Sequence, residues 1–201
     1  MKLRTQTLIN WMSYIRQCTN PSQQFRVLEN FWDTQLNSKE WLLDTIDMHL
    51  WQRDHHKNVM IYGGWYGTLG QLLYDRYERY INGVYSVDID PQCSIIGQQL
   101  NQSVNYITGD MATTLPILPC TMIINTSTEH VTQPVYDAWL KNMPSDVPII
   151  LQGNNFYDCS EHVRCTNSLH QFKEFSGLSN IIYEGELDCW NYTRFMIIGN
   201  K

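Results

Sequence analysis

Five stretches of the chain carry the residue types from which a reaction site is built. In IYGGWYGTLG, Gly63, Gly64 and Gly67 surround Trp65 directly after an apolar run. Glycine permits positive φ and lets another group reach the backbone, and the amides of a helix opening near Gly67 would face a polar or anionic ligand. In VDIDP, Asp88 can accept hydrogen bonds from the hydroxyls of a ribose, with Ile89 beside it. In TGDM, Asp110 could bind an adenine amino group while Ile89 and Met111 pack against the ring faces. In INTSTEHV, Asn125, Ser127, Glu129 and His130 crowd behind another apolar run. There the intrinsic pKa of histidine suits a general base, and glutamate can orient a ligand. In QGNNFYDCSEHVRC, Asn154, Asn155 and Tyr157 are groups that could hold a second substrate. Cys159, His162 and Cys165, with His170 farther on, are soft donors, but their spacing matches no zinc signature and no metal site is expected.

Each stretch has an ordinary structural explanation beside the chemical one. The glycines could make a tight packing turn, Asp88 could be a solvated loop acid or a helix cap, and INTSTEHV could be a hydrogen-bonded loop leading to a cap at Thr132. Asp90, directly before Pro91, suits the capping task better than Asp88.

The elements that must position these residues follow from periodicity. Residues 1–56 place apolar and aromatic side chains three and four apart, which predicts two or three amphipathic helices, one capped by Asn37 or Ser38. Trp11, Tyr14, Trp32, Trp41 and Trp51 are expected to pack that extension against the rest of the chain. His55 and His56 would then sit at the solvated entry to the first strand. From 57 onward, short apolar runs alternate with helical stretches. Strands are predicted over 58–62, 83–90, 104–110, 120–127 and 147–154, with helices over 69–81, 91–101 and 133–143. That alternation implies a parallel sheet with right-handed crossovers. The apolar runs at 179–187 and 192–200 imply an antiparallel hairpin. The whole reads as one α/β domain with an N-terminal helical extension.

A glycine turn after strand one, an acid after strand two, Gly-Asp after strand three and a terminal hairpin resemble the class I S-adenosylmethionine-dependent methyltransferases. The resemblance covers 57–201, and SVDIDP and ITGDM carry it most strongly. It implies a Rossmann-like, seven-stranded, mostly parallel sheet with helices on both faces, and S-adenosylmethionine as cofactor. By the same resemblance Gly63, Gly64, Trp65 and Gly67 would line the cofactor, Asp88 would hold its ribose, and Asp110, flanked by Ile89 and Met111, its adenine. Asn125, Glu129 and His130 would then be the catalytic edge, with Asn154, Asn155 and Tyr157 on the acceptor. Two positions depart from the family pattern: Ile61 stands where an acid is usual, and Trp65 where a glycine is usual. Trp65 would cover the cofactor as an apolar lid or fill the pocket, and the second case would give an inactive partner subunit.

Composition narrows the partners. The 201 residues carry a net charge of −6, with 14 Lys and Arg against 20 Asp and Glu, so no general polyanion footprint exists and nucleic acid is disfavoured. The acceptor is expected to be a small molecule or a protein group. PC at 119–120 resembles the nucleophile of cytosine-C5 enzymes but precedes its strand instead of following it. No apolar run is long enough to span a bilayer, the first residues lack a secretory pattern, and the six cysteines form no C-x-x-C pair. A cytoplasmic protein with free thiols and no membrane partner is the expectation. A nicotinamide-dependent oxidoreductase fits less well, because Tyr62, Gly64 and Gly67 miss the first glycine of the dinucleotide fingerprint.

Overall fold

The computed structural model describes residues 4–50 and 56–201; Trp51 and His55 lie outside the described residues. Three helices come first: α1 (Thr5–Gln17), α2 (Pro21–Glu29) and α3 (Asp33–His49). The alternating part follows as β1 (Lys57–Tyr62), α4 (Thr68–Tyr77), β2 (Ile81–Asp88), α5 (Pro91–Leu100), β3 (Asn105–Thr108), β4 (Met122–Asn125), α6 (Gln133–Lys141) and β5 (Ile149–Asn154). Then come α7 (Leu169–Ser176) and the hairpin β6 (Asn180–Asp188) and β7 (Thr193–Asn200).

One seven-stranded sheet runs in the order β3-β2-β1-β4-β5-β7-β6. Strands β1 to β5 pair in parallel, and β7 is antiparallel to both of its neighbours. Successive residues of the central strands feed opposite faces, as the pleat requires. Val59 and Ile61 enter the first core cluster with Ile124, Ile150 and Met196. Met60 and Tyr62 enter the second with Ile123, Ile149 and Leu151. Helices α1 to α5 supply the first cluster, and α6 and α7 the second. Because both faces are covered, the central strands are mostly apolar, with Asn125, Gln152 and Asn154 as buried polar residues toward their carboxyl ends.

The N-terminal helices are integral to the first core. Trp11 is buried and its indole N–H donates to Asn101 Oδ1 at 2.7 Å, while the Asn101 amide donates to the Tyr66 carbonyl at 2.7 Å. Thr7 Oγ1 donates to the buried Asp75 carboxylate at 2.7 Å. Trp41 is partly buried with its N–H toward the Tyr183 hydroxyl. Trp32 departs from the expectation, standing 51% exposed against the edge of the Phe25 ring.

Three local expectations also change. Helix α3 begins at Asp33 and not at Asn37 or Ser38, because Asp33 in the first turn complements the helix dipole. Ser38 is buried within the helix and its hydroxyl donates back to the Gln35 carbonyl. The helix expected over 69–81 stops at Tyr77, a 3-10 turn follows, and β2 starts at Ile81. Helix α7 falls where the sequence pattern predicts no element; Ser168 caps it by accepting from Gln171 N, and Gly177 at φ 65° ends it.

Candidate functional site at the carboxyl edge of the sheet

Strand order reverses between β1 and β4, so the crevice outside their carboxyl ends is where an open α/β sheet holds its ligands. Two sets of loops meet there.

The first set follows β1, β2 and β3, and its centre is Asp88. Gly64 N donates to the Val87 carbonyl, Trp65 N to Asp88 Oδ2 at 2.9 Å, and Gly109 N to the Asp88 carbonyl. Asp90 N donates to Asp88 Oδ1 at 3.1 Å. The half-buried carboxylate thus spends one acceptor site on each oxygen and keeps lone pairs for another donor. Asp90, as expected, caps α5 by accepting from Gln92 N.

Of the two explanations for the glycines, close packing has direct geometric support. A Cβ on Gly63 would lie 2.7 Å from Ser127 Cβ, one on Gly64 2.1 Å from Ser86 Oγ, and one on Gly67 2.3 Å from the Tyr106 hydroxyl. The missing side chains make room for Ser86 on β2, Tyr106 on β3 and Ser127 in the loop after β4, so the packing explanation accounts for their direction. Positive φ at Gly63 (63°) and Gly67 (77°) supplies the second reason. Trp65 also has positive φ, 50°, held by its N–H on Asp88. Its ring stacks on Tyr66 at 5.1 Å and packs against the first core cluster, making it a fixed part of the turn. Ile61 is buried in that same cluster, where an acid would have no solvent.

Asp110 is exposed, with Oδ1 accepting from Ala112 N at 2.8 Å. Met111 packs against the second core cluster, and Ile89 is 71% exposed.

The second set follows β4 and β5, and here the charges are buried. Glu129 is 2% exposed and Arg194 6%. Arg194 Nη2 lies 3.5 Å from Glu129 Oε1, and Asn154 Nδ2 donates to that same oxygen at 2.6 Å. Thr128 Oγ1 donates to the Gln152 carbonyl, tying the 3-10 turn Thr128–His130 to β5. Val163 N and Arg164 N both donate to the Glu129 carbonyl, which clamps the loop carrying His162 onto that turn. As a result the His130 and His162 rings meet edge to face at 4.7 Å.

Asn125 is wholly buried; its Oδ1 accepts from Ser127 N and its Nδ2 has no partner. Glu129 Oε2 and Arg194 Nε are likewise buried without partners, so three unsatisfied polar atoms gather at this edge. On α3, burial brings the ammonium of the half-buried Lys39 down to about 7, with the Arg194 guanidinium adding to the effect.

The residues expected on the acceptor divide. Asn154 is 1% exposed, with Oδ1 accepting from Phe156 N and Nδ2 spent on Glu129, so it positions Glu129 and does not face an acceptor. Asn155 is tied to β7, accepting from Thr193 N at 2.6 Å. Tyr157 is exposed, its hydroxyl donating to Asn167 Oδ1. Thr132 stands at the start of α6 without a side-chain cap bond. Cys165 donates to Asn154 Oδ1 and to the Phe156 carbonyl, and burial pushes its thiol up to about 11. Cys120 is buried before β4, at the opposite edge of the sheet. All six cysteines are free, and no described helix is long and apolar enough to cross a membrane. Arg194 was not singled out from sequence, although an arginine inside the apolar run TRFMIIG signals a buried charge needing a partner.

No family model matches the sequence, and no curated protein matches it. Solved structures do. A mutant of MtNAS in complex with S-adenosylmethionine aligns over 97% of this chain and 72% of its own, with TM-score 0.59 and 13% identity. The N-methyltransferase NodS from Bradyrhizobium japonicum, in complex with S-adenosyl-l-homocysteine, aligns over 96% of this chain and 99% of its own, with TM-score 0.64 and 9% identity. For a putative sarcosine dimethylglycine methyltransferase from Galdieria sulphuraria the figures are 82%, 85%, 0.59 and 10%. Sheet order, the antiparallel β7 and these alignments agree: the chain has the class I, Rossmann-like methyltransferase fold.

Proposed function

We propose that the protein is an S-adenosylmethionine-dependent methyltransferase acting on a small molecule or a protein group. The observation that carries the reading is the position of Asp88, knotted to the loops after β1 and β3 at the crevice while its carboxylate keeps acceptor capacity. The donor set fits a nucleoside: Asp88 for ribose hydroxyls, Asp110 or its neighbouring backbone for adenine, and the exposed Ile89 with half-buried Met111 as apolar surface. Covering about 100 Å² of such surface would return roughly 2–3 kcal/mol. Trp65, fixed on Tyr66, would border the cofactor and not swing over it.

When bound, S-adenosylmethionine supplies an electrophilic methyl group on a sulfonium. The protein's own part is alignment and proton removal. His130 and His162 present imidazole nitrogens at the second set of loops, and the Phe156 carbonyl, 2.8 Å from His162 Nδ1, orients the second ring. An acceptor nitrogen, oxygen or sulfur placed there would pass its proton to the free imidazole nitrogen. Glu129 holds this edge together from below, and Asn154 and Arg194 hold Glu129.

Formation of S-adenosylhomocysteine from S-adenosylmethionine, followed by mass spectrometry against panels of amines, phenols, thiols and peptides, tests the reading. Turnover with one acceptor class, lost in His130→Ala, is the expected result. Absence of any binding of the methyl donor or its product overturns it. In that case the departures at Ile61 and Trp65 mark a methyltransferase-fold partner subunit without activity.

A further inference from the structure

We propose that Glu129, His130 and His162 form a binding site for a divalent transition-metal ion of the zinc type. Among the described residues these three offer one carboxylate oxygen and two imidazole nitrogens, all within 4.8 Å of one another. A tetrahedral ion with bonds of about 2.0–2.1 Å wants its ligands roughly 3.3 Å apart. The exposed His130 side chain has room to close the difference.

Two further features point to an ion. Glu129 is 98% buried, yet only Oε1 is used, by Asn154 Nδ2 and Arg194 Nη2; Oε2 has no partner. A carboxylate anchored through one oxygen and idle through the other is how a ligating carboxylate is held, and a buried oxygen left idle is otherwise unfavourable. His162 Nδ1 lies 2.8 Å from the Phe156 carbonyl. Because a carbonyl has no proton to give, Nδ1 carries the hydrogen and the Nε2 lone pair is free. An imidazole whose other N–H is fixed by a backbone carbonyl is the usual support for a metal-bound histidine.

The donor set selects the ion. Two imidazoles and one carboxylate suit zinc and its first-row neighbours, while magnesium and calcium prefer oxygen throughout. Arg194 offsets the Glu129 charge but sits on Oε1, leaving the other oxygen to the ion. Three protein ligands leave a coordination position open, and on the methyl-transfer proposal that position would take the acceptor atom and lower its proton affinity, in place of a histidine base. Ion binding itself does not depend on that proposal.

The test is calorimetric titration of the untagged 201-residue chain with Zn²⁺, and with Co²⁺ followed by visible absorption. Expected are one ion per chain, a low-symmetry Co²⁺ spectrum, and affinity weakened at least about tenfold in both His130→Ala and His162→Ala. His170→Ala, whose side chain is exposed beside Glu174, leaves affinity unchanged. Circular dichroism verifies that each variant is folded. Absence of saturable binding by folded wild type, or wild-type affinity in both site variants, overturns the site and assigns Glu129 Oε2 to water. S-adenosylhomocysteine titrated into the same preparations separates the two proposals: zinc binding without it sinks methyl transfer alone, and the reverse sinks the metal site alone.

Discussion

The loops after β1 to β3 and those after β4 and β5 share one edge of one sheet, yet they are built in opposite ways. The first set is held by backbone amides on Asp88 and by glycines that let strands crowd together, and its side chains remain open: Asp110 and Ile89 are exposed. The second set is held by side chains, with Glu129, Arg194 and Asn154 sunk to 6% exposure or less. The difference suits two tasks. A cofactor that is always the same can be met by a rigid backbone cradle, whereas chemistry on an acceptor needs charges kept out of water and aimed.

Breaking the buried charge pair should have the largest effect. Arg194→Met leaves Glu129 buried with the Asn154 amide as its side-chain hydrogen bond and only the Arg164 charge to offset it, and a loss of about 3–5 kcal/mol in denaturant unfolding is expected. A loss below about 1 kcal/mol would mean that the pair is solvated and the contrast between the two edges is false.

Next comes the glycine turn. Gly67→Ala places a Cβ 2.3 Å from the Tyr106 hydroxyl at φ 77°, on a ring whose hydroxyl donates to the carbonyls of Tyr66 and Asn101. A loss of about 2–4 kcal/mol is expected, combining left-handed strain with overpacking. Thermal unfolding measures it, and a neutral result would return the turn to the ligand-cradle explanation.

Lys39 sharpens the comparison through pH. Its folded value of about 7 lies below the unfolded value of about 10.4, so between them the unfolded chain holds more protons and stability rises with pH. The slope cannot exceed about 1.4 kcal/mol per pH unit. Lys39→Met should remove this contribution and be more stable than wild type at pH 6, with the advantage shrinking as pH rises from 7 toward 10. Denaturation at pH 6, 8 and 9.5 checks the sign.

Legibility in the sequence follows the same division. Sheet and hairpin are plain because strand and helix periods alternate from 57 onward, and Asp88 and Asp110 are plain because the first ends β2 and the second follows β3 by two residues. The second set depends on residues far apart in the chain: His162 reaches His130 across 32 positions only because two amides of its loop bind the Glu129 carbonyl. Arg194 reaches Glu129 from a strand 65 positions on, through sheet pairing that no local pattern encodes. The role of Asn154 is hidden for a related reason, since a polar residue at a strand end looks the same whether it faces a ligand or a buried carboxylate.

Titration of S-adenosylhomocysteine into wild type, Asp88→Ala and His130→Ala tests the central claim most directly. The account predicts saturable binding to wild type, a loss of about 1–3 kcal/mol in Asp88→Ala from unmade ribose hydrogen bonds, and wild-type affinity in His130→Ala. No binding to folded wild type, or equal affinity in Asp88→Ala, would contradict the assignment of the β1 to β3 loops to the cofactor.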